Sequence, residues 1–318
     1  MILNSQNLTA LFKEQLACWE QAKNNYDALN GVLVKDVEID GFKLKVQFNP
    51  ARIISSSAKV DSNSIKERKC FLCRENRPQV QKGLEYINEG DIDNPYTVLI
   101  NPFPIFPKHL TIPLLGHTDQ LILGRFDAML NLSRELEEYT LFYNGPKCGA
   151  SAPDHFHFQA GNKGFLTIEN QYSNLNKEKL FDNKGAKLFS VKSIFKGLFS
   201  IESSCVQSAV EIFEKIYGLL PIKEGEMEPM MNILSWYEGG SFITLIYVRD
   251  KHRPHHYFAE GDSNILLSPA SVDMGGVFIT PLEKDYAKIS NKEIREIIDE
   301  ICIDEQEENN IINKLKAN

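Results

Sequence analysis

The most informative six residues of the chain are Asp154-His155-Phe156-His157-Phe158-Gln159. In an extended strand, successive side chains point to opposite faces. His155, His157 and Gln159 would then share one face. Phe156 and Phe158 would enter the core from the other. Two imidazoles and an amide in a row can bind a metal, transfer protons or present a nucleophile to phosphorus. The pattern alone is equally compatible with an ordinary half-buried strand that exposes two histidines.

The segment before this motif is a loop of small residues, Tyr143-Asn144-Gly145-Pro146-Lys147-Cys148-Gly149-Ala150-Ser151-Ala152-Pro153. Glycine and small side chains allow backbone amides to approach an anion closely. With this loop, the chain resembles the histidine-triad-like nucleotidyltransferase superfamily. The similar branch contains galactose-1-phosphate uridylyltransferases, diadenosine tetraphosphate phosphorylases and GDP-hexose phosphorylases. The matching text is YNGPKCGAS followed by HFHFQ, and the segment at 152–154 is one residue longer than in some relatives.

The resemblance implies a catalytic group formed by His155, His157 and Gln159. In it, His157 attacks the α-phosphorus of a nucleotide, and Gln159 holds the resulting nucleotidyl-histidine. Hydrolases of the superfamily usually carry a third histidine at the position of Gln159, so the glutamine favours a transferase or a phosphorylase. The positions that match its nucleotide pocket are Asn101, Asn144, Gly149 and Ser151.

The segment 249–256 is the most basic part of the chain. Arg249 and Arg253 are candidate ligands for substrate phosphates, because guanidinium groups bind phosphate oxygens well. The alternative is a solvated hairpin end. For His109, a structural hydrogen bond to a backbone carbonyl and a contact with substrate are both open.

Cys70 and Cys73 are separated by two residues, so they can reach one metal ion from a single turn. In a cytosolic protein such a pair binds metal or is redox-active more often than it is structural. A thioredoxin-like site needs the pair at a helix start within a βαβ unit, which the flanking residues do not indicate. The resemblance to the uridylyltransferases completes a zinc site with His117 and His155. Four protein ligands would make this zinc structural.

Length and composition are those of an ordinary globular protein. The 318 residues are 42% hydrophobic and 25% charged, which suits one large or two modest domains. There is no apolar run of the ~20 residues that span a bilayer, no signal peptide and no disulfide scaffold, so we expect a cytoplasmic protein without membrane partners. The net charge of −8 argues against nucleic acid as a partner.

Hydrophobic periodicity predicts helices and antiparallel hairpins without a βαβ rhythm, which is typical of the α+β class. Hairpins are predicted around Asp40-Gly41 and around Glu238-Gly239-Gly240. Other predicted elements are helices at 6–28, 118–138, 205–219 and 291–303, a loop at 55–64, a strand at 163–169, a linker at 170–187 and a frayed tail at 305–318.

The resemblance implies two histidine-triad-like halves, 1–170 with the motif and 171–318 without it. The predicted function is nucleotidyl transfer from a nucleotide sugar or a dinucleoside polyphosphate to a phosphate-bearing acceptor through a nucleotidyl-histidine. A histidine-triad hydrolase of dinucleoside polyphosphates and a non-catalytic nucleotide-binding module are the alternatives. The chain would act as a monomer or a homodimer.

Overall fold

The computed structural model of the chain describes residues 3–53 and 61–317. The strands in these residues are β1 (Leu33–Ile39), β2 (Phe42–Phe48), β3 (Gly83–Asn88), β4 (Asp91–Ile100), β5 (His109–Pro113), β6 (Tyr139–Asn144), β7 (His157–Asn162), β8 (Asn176–Asn183), β9 (Ala186–Lys192), β10 (Leu198–Ser203), β11 (Met231–Glu238), β12 (Ser241–Val248) and β13 (Val277–Thr280). The helices are α1 (Ser5–Cys18), α2 (Glu20–Ala28), α3 (Ser62–Glu67), α4 (Phe126–Glu135), α5 (Thr167–Gln171), α6 (Val206–Tyr217), α7 (His255–Phe258), α8 (Ser271–Met274), α9 (Glu283–Lys288), α10 (Asn291–Ile301) and α11 (Glu305–Ala317).

One long sheet forms the centre of the molecule, with the strand order β3-β4-β5-β7-β6-β11-β12-β10-β9-β8. Read from its own outer edge, each group of five strands has the same order, β3-β4-β5-β7-β6 in one and β8-β9-β10-β12-β11 in the other. In both groups the last two strands along the chain lie in exchanged positions. The two groups join where β6 and β11 pair antiparallel, with Tyr143 opposite Ile233. The division into halves 1–170 and 171–318 stays a prediction, and the repeated strand order agrees with it. The α+β class is confirmed.

A small second sheet connects the two ends of the chain. The strands β1 and β2 form the predicted hairpin, and the turn residues Asp40 and Gly41 have the positive φ angles of 51° and 79° that a tight hairpin turn requires. The late strand β13 then pairs in parallel with β2. The C-terminal part of the chain therefore packs back onto the N-terminal hairpin.

Two predicted helices differ from the structure. Residues 6–28 form α1 and α2 because Trp19 between them is extended, with φ −110° and ψ 94°. Trp19 is buried there and lies in the wall of the cavity described below. The helix predicted at 118–138 begins only at Phe126, since residues 118–125 form an irregular segment. Both differences place irregular backbone beside the candidate functional site.

Four other predictions were wrong or only partly testable. Residues 163–169 form a turn and the start of α5, because the Glu169 carboxylate accepts from the backbone N–H groups of Gly164 and Leu166. The predicted linker at 170–187 contains β8, a polar edge strand. The predicted tail is the ordered helix α11, which buries Ile311 and Leu315 four residues apart. Of the loop predicted at 55–64, residues 55–60 lie outside the described residues, Asp61 is the N-cap of α3, and residues 62–64 form its first turn.

The central sheet has a hydrophobic core on each face. Phe156 and Phe158 are fully buried in one of them, where they pack against Tyr96 and Tyr143. The opposite orientation of His157, next to both, is therefore fixed by the pleat of the strand. Among the described helices, none combines the length and the apolar character needed to cross a bilayer.

Candidate functional site

A cavity of about 620 Å³ lies on the side of the sheet that His157 faces. This volume is within the range of small-molecule sites. Both predicted halves contribute to its wall. The polar residues in the wall are Gln21, Arg52, Ser64, Arg68, Gln81, Asn101, Thr111, Asn144, Ser151, His157, Gln159, His252, Arg253, Ser268 and Asp273, with Trp19, Phe71, Phe103 and Phe142 as aromatic residues.

His157 is the first residue of β7 and is held as a neutral imidazole. Its Nδ1 lies 2.8 Å from the backbone oxygen of His155, which can only accept, so Nδ1 carries the proton. The lone pair is therefore on Nε2. The pKa of His157 is lowered to about 4, chiefly by burial and also by the nearby His155 imidazole, which together outweigh the hydrogen bond to the His155 backbone that raises it. An imidazole in this form can act as a nucleophile at neutral pH.

Gln159 lines the same cavity, two residues further along β7. Its Oε1 lies 3.1 Å from Nε2 of His109, which is fully buried. The Nδ1 atom of His109 accepts from the backbone N–H of Ile105 at 3.2 Å, so the proton of His109 is on Nε2 and is donated to Gln159. Burial lowers the pKa of His109 to about 3 and keeps it neutral. The oxygen of the Gln159 amide is thereby fixed, and its NH₂ group is the end that can donate into the cavity.

His109 thus has neither of the two roles that were open from the sequence. It does not lie in the cavity wall, and its ring bonds a backbone amide and a side chain rather than a carbonyl. Asn101 supports the same group, since its Nδ2 donates to Thr111 at 2.9 Å and its Oδ1 accepts from the backbone of Phe103. Asn101 therefore holds the proline-rich turn against the cavity.

The small-residue loop closes the cavity against the second half of the chain. Gly149 has φ +93°, and a Cβ atom there would lie 2.5 Å from the Cβ of Ala270, so only glycine fits without a shift. Asn144 lines the cavity, and its Oδ1 accepts from Asn232 and from the backbone of Ser271. Ser151 also faces the cavity. The loop is held in place by contacts from residues far along the chain.

The two arginines predicted as phosphate ligands lie in different environments. Arg253 lines the cavity, where it donates to Ser268 and stacks on Tyr257. Arg249 does not line it. This side chain is 2% exposed, and its guanidinium donates to Asn232 and to the backbone oxygens of Lys251, His252, Pro269 and Ile301. Arg249 therefore supports the cavity wall from behind.

Sequence reasoning missed several cavity residues. Arg52 and Arg68 add positive charge to the wall, and Nη1 of Arg68 is buried without a hydrogen-bond partner among the described residues. Asp273 is the one acidic residue of the described wall, and burial raises its pKa to about 6. Burial lowers the pKa of His252 to about 3. Arg68 lies two residues before Cys70 in the sequence, and this position could have indicated that it is near the site. No motif in the sequence near Arg52 indicates that Arg52 lines the cavity.

The four predicted metal ligands come together beside the cavity. The donor atoms of Cys70, Cys73, His117 and His155 lie within 4.8 Å of one another. The measured S···N and N···N separations are 3.1 to 3.5 Å. Zinc bonds of ~2.0–2.3 Å in a tetrahedron place ligand atoms about 3.3–3.8 Å apart. Nε2 of His155 bonds the backbone oxygen of Leu114 at 2.9 Å, which leaves Nδ1 to face the other three donors.

A second cluster, His255, His256 and Glu296, lies away from the cavity. His256 bonds Glu296 through Nε2, and its buried Nδ1 has no partner among the described residues. A histidine that binds metal usually donates through its other ring nitrogen. The arrangement fits ion pairs between α7 and α10 better than a metal site.

Comparisons with known proteins agree with this architecture. Residues 11–162 match the family model of a domain of unknown function (DUF4922). No curated protein matches the chain. The chain is similar to the crystal structure of yeast Ap4A phosphorylase Apa2, with a TM-score of 0.55 and 14% identity over 95% of this chain and 96% of that one. For the complex of the same enzyme with Ap4A, the TM-score is 0.58 and the identity 15%, over 95% and 99% of the two chains. The predicted resemblance to this branch of nucleotidyltransferases is thus confirmed for the fold.

Proposed function

We propose that the chain is a nucleotidyltransferase that splits a dinucleoside polyphosphate by phosphorolysis, through a nucleotidyl group carried on His157. The observation that carries this proposal is the state of His157. Its proton is held on Nδ1 by the backbone of His155, its lone pair is on Nε2, and the ring lies in the wall of a nucleotide-sized cavity. The alternative of a strand with two surface histidines does not account for this burial, since both His155 and His157 are buried.

The proposed reaction has two displacements. In the first, Nε2 of His157 forms a bond to the α-phosphorus, and the bond from that phosphorus to the bridging oxygen breaks, so that a nucleoside polyphosphate leaves. In the second, an oxygen of inorganic phosphate attacks the same phosphorus, and the N–P bond breaks to release a nucleoside diphosphate. The imidazole is regenerated without net change.

The cavity wall supplies groups that suit the charge of this reaction. The NH₂ group of Gln159 and the backbone amides of the loop 149–151 can donate to the oxygens of the reacting phosphorus. Arg52, Arg68 and Arg253 surround the cavity with positive charge in a chain whose net charge is −8. The buried Nη1 of Arg68 has no hydrogen-bond partner among the residues that the structure describes and can bond a phosphate oxygen. The aromatic residues Trp19 and Phe71 offer faces for a base.

The choice of substrate rests on the structural relatives. Nucleotide sugars and dinucleoside polyphosphates both present a nucleotide α-phosphorus to the nucleophile. The residues of the cavity wall do not favour one of these substrate classes over the other. The similar structure binds Ap4A and, in another crystal, AMP. We therefore place a dinucleoside polyphosphate first and a nucleotide sugar second.

Zinc is part of the same proposal. The donor set of two thiolates and two imidazoles is one that Zn²⁺ prefers, and the measured separations suit a tetrahedron. With four protein ligands, the ion would have a structural role and would tie the turn at 70–73 to the segments that carry His117 and His155. The turn in question contributes Phe71 and Leu72 to the cavity wall.

The test is to incubate the protein with Ap4A and with nucleotide sugars, with and without inorganic phosphate, and to identify the products by mass. We expect phosphate-dependent release of a nucleoside diphosphate and a labelled, acid-labile nucleotidyl-protein. His157→Ala should abolish both while the protein remains folded. His255→Ala is the control, because His255 is an exposed histidine outside the cavity. Products formed with water alone would instead identify a hydrolase, and a labelled His157→Ala protein would refute the proposal.

A further inference from the structure

The backbone of His157 faces a gap in the central sheet. Leu114 donates to the backbone oxygen of Phe156 at 3.0 Å, so the backbone groups of Phe156 point towards β5. Backbone groups alternate sides along a strand, so those of His157 point towards β6. The register of β6 and β7 ends with Phe142 opposite Gln159, and its continuation would place Tyr143 opposite Phe158 and then Asn144 opposite His157. No ladder pair of β6 and β7 is formed at that position.

The side chain of Gln120 fills this gap. Its Oε1 accepts from the backbone N–H of His157 at 2.7 Å, and its Nε2 donates to the backbone oxygen of His157 at 2.9 Å. The same Nε2 donates to the backbone oxygen of Asn144 at 3.1 Å. The carboxamide thus takes the place of a peptide group between the two strands.

Gln120 is itself held firmly. It is fully buried, its backbone N–H donates to the oxygen of Pro153 at 3.1 Å, and its backbone oxygen accepts from the hydroxyl of Tyr143 at 2.9 Å. The residue is thereby connected to both ends of the loop that leads into the histidine motif. A movement of Gln120 would move the main chain of His157 directly.

We infer that Gln120 is a positioning residue for the nucleophile, and this inference rests on the proposed function. Nε2 of His157 must meet phosphorus in line, and a misplacement of about 1 Å can lower a rate about 100-fold. The Nδ1 proton of His157 is held by the backbone of His155. Only the main chain at 157 remains to be fixed, and Gln120 supplies both bonds to it.

The test is the variant Gln120→Glu. It keeps the shape of the side chain but places an oxygen against the two backbone oxygens that Nε2 now bonds. We expect kcat and the single-turnover rate of nucleotidyl-protein formation to fall about 10- to 100-fold, with KM changed less than about threefold. Should Gln120→Glu fail to fold, Gln120→Met keeps the volume of the side chain and enters the same assays.

Gln171 provides a matched control. Its carboxamide also clamps one strand residue, accepting from the backbone N–H of Lys43 at 2.8 Å and donating to its oxygen at 2.9 Å, with a third bond to Thr167. Neither Gln171 nor Lys43 lines the cavity. Gln171→Glu should therefore leave kcat unchanged.

Three outcomes separate the two proposals. If the wild-type protein forms no nucleotidyl-protein, the proposed function fails. If the wild type is labelled and a folded Gln120 variant reacts at the wild-type rate, the positioning role is wrong. The inference is also overturned if Gln171→Glu lowers kcat as much as Gln120→Glu does, because the loss would then follow from any broken clamp.

Discussion

Two buried groups near His157, the hydroxyl of Tyr143 and the carboxyl group of Glu228, are linked by a single proton. The hydroxyl of Tyr143 lies 2.9 Å from the backbone oxygen of Gln120 and also in hydrogen-bond contact with Oε1 of Glu228. A hydroxyl has one proton and can donate to only one of them. Both contacts are satisfied when Glu228 is a neutral acid that donates to Tyr143. Burial accordingly raises the pKa of Glu228 to about 7.

This arrangement predicts how stability depends on pH. A carboxyl group whose pKa rises from 4.5 to about 7 on folding stabilises the protein below pH 4.5, and that contribution is lost as the pH rises through 7. The shift of about 2.5 units corresponds to about 3 kcal/mol. The free energy of unfolding of Glu228→Gln, relative to that of wild type, should therefore rise by roughly this much between pH 5 and pH 8. Urea unfolding at the two pH values measures this difference.

Glu226 is the control for this prediction, because it lies two residues away at the surface and pairs loosely with Lys147 at 4.0 Å. Glu226→Gln should leave the difference between pH 5 and pH 8 unchanged. An equal pH dependence in wild type and Glu228→Gln would show that Glu228 is ionised in the folded protein throughout, and the proton assignment around Tyr143 would be wrong.

At the scale of elements, the conformation of the turn 70–73 depends on a few contacts with neighbouring side chains and on the predicted zinc ion. The turn contains no strand or helix, and apart from the predicted metal ligands its support comes from the ion pair of Arg68 with Asp154 and from hydrogen bonds of Asn76 and Arg77 to its backbone. We expect one zinc per chain. Cys73→Ser should lose the ion and lower the Tm by roughly 3–5 °C, which corresponds to about 2–3 kcal/mol for a chain of this size.

Metal content by mass spectrometry and the Tm before and after chelation measure this effect. Cys205→Ser is the matched variant, because Cys205 is an exposed thiol outside the cluster. It should keep both zinc and Tm. A wild-type Tm that is the same with and without a chelator would mean that the four donors do not hold a structural ion.

The elements that sequence could predict are those with local causes. The hairpins at β1–β2 and β11–β12 follow from alternation around glycine turns, and both are confirmed. The strand β8 could not be predicted from its polar residues, because an edge strand owes its existence to β9 beside it. In the same way, α11 is ordered by the contacts of Ile311 and Leu315 with the core.

The residues of the candidate site likewise divide into those that a local sequence pattern marks and those that depend on distant contacts. The histidine motif, the small-residue loop and the predicted metal ligands are marked by short patterns, and the structure brings each of these groups together. Gln120 carries no such mark, because its role depends on a gap between two strands that sequence does not reveal. Arg52 likewise reaches the cavity only through the packing of distant segments.

At the scale of the whole molecule, a buried network joins the two predicted halves behind the cavity. Arg249 donates to Oδ1 of Asn232 at 2.6 Å, and Nδ2 of Asn232 donates to Asn144 at 2.9 Å and to the backbone oxygen of Cys148 at 2.7 Å. Arg249 also bonds the backbone of Lys251 and His252, next to Arg253 in the cavity wall. One side chain therefore supports the loop of the first half and the basic segment of the second.

Removing the guanidinium of Arg249 should loosen both walls of the cavity together. Arg249→Met leaves several buried acceptors without donors, each costing about 1–3 kcal/mol, so we expect a loss of at least about 3 kcal/mol. In the proposed reaction Arg253 and the loop 149–151 bind the phosphates while His157 stays on its own strand, so KM for the nucleotide should rise more than kcat falls. Thermal unfolding and steady-state kinetics measure the two effects. Arg295→Met, which removes a surface arginine paired with Asp40, should change neither, and a kcat effect larger than the KM effect would place Arg249 at the chemical step instead.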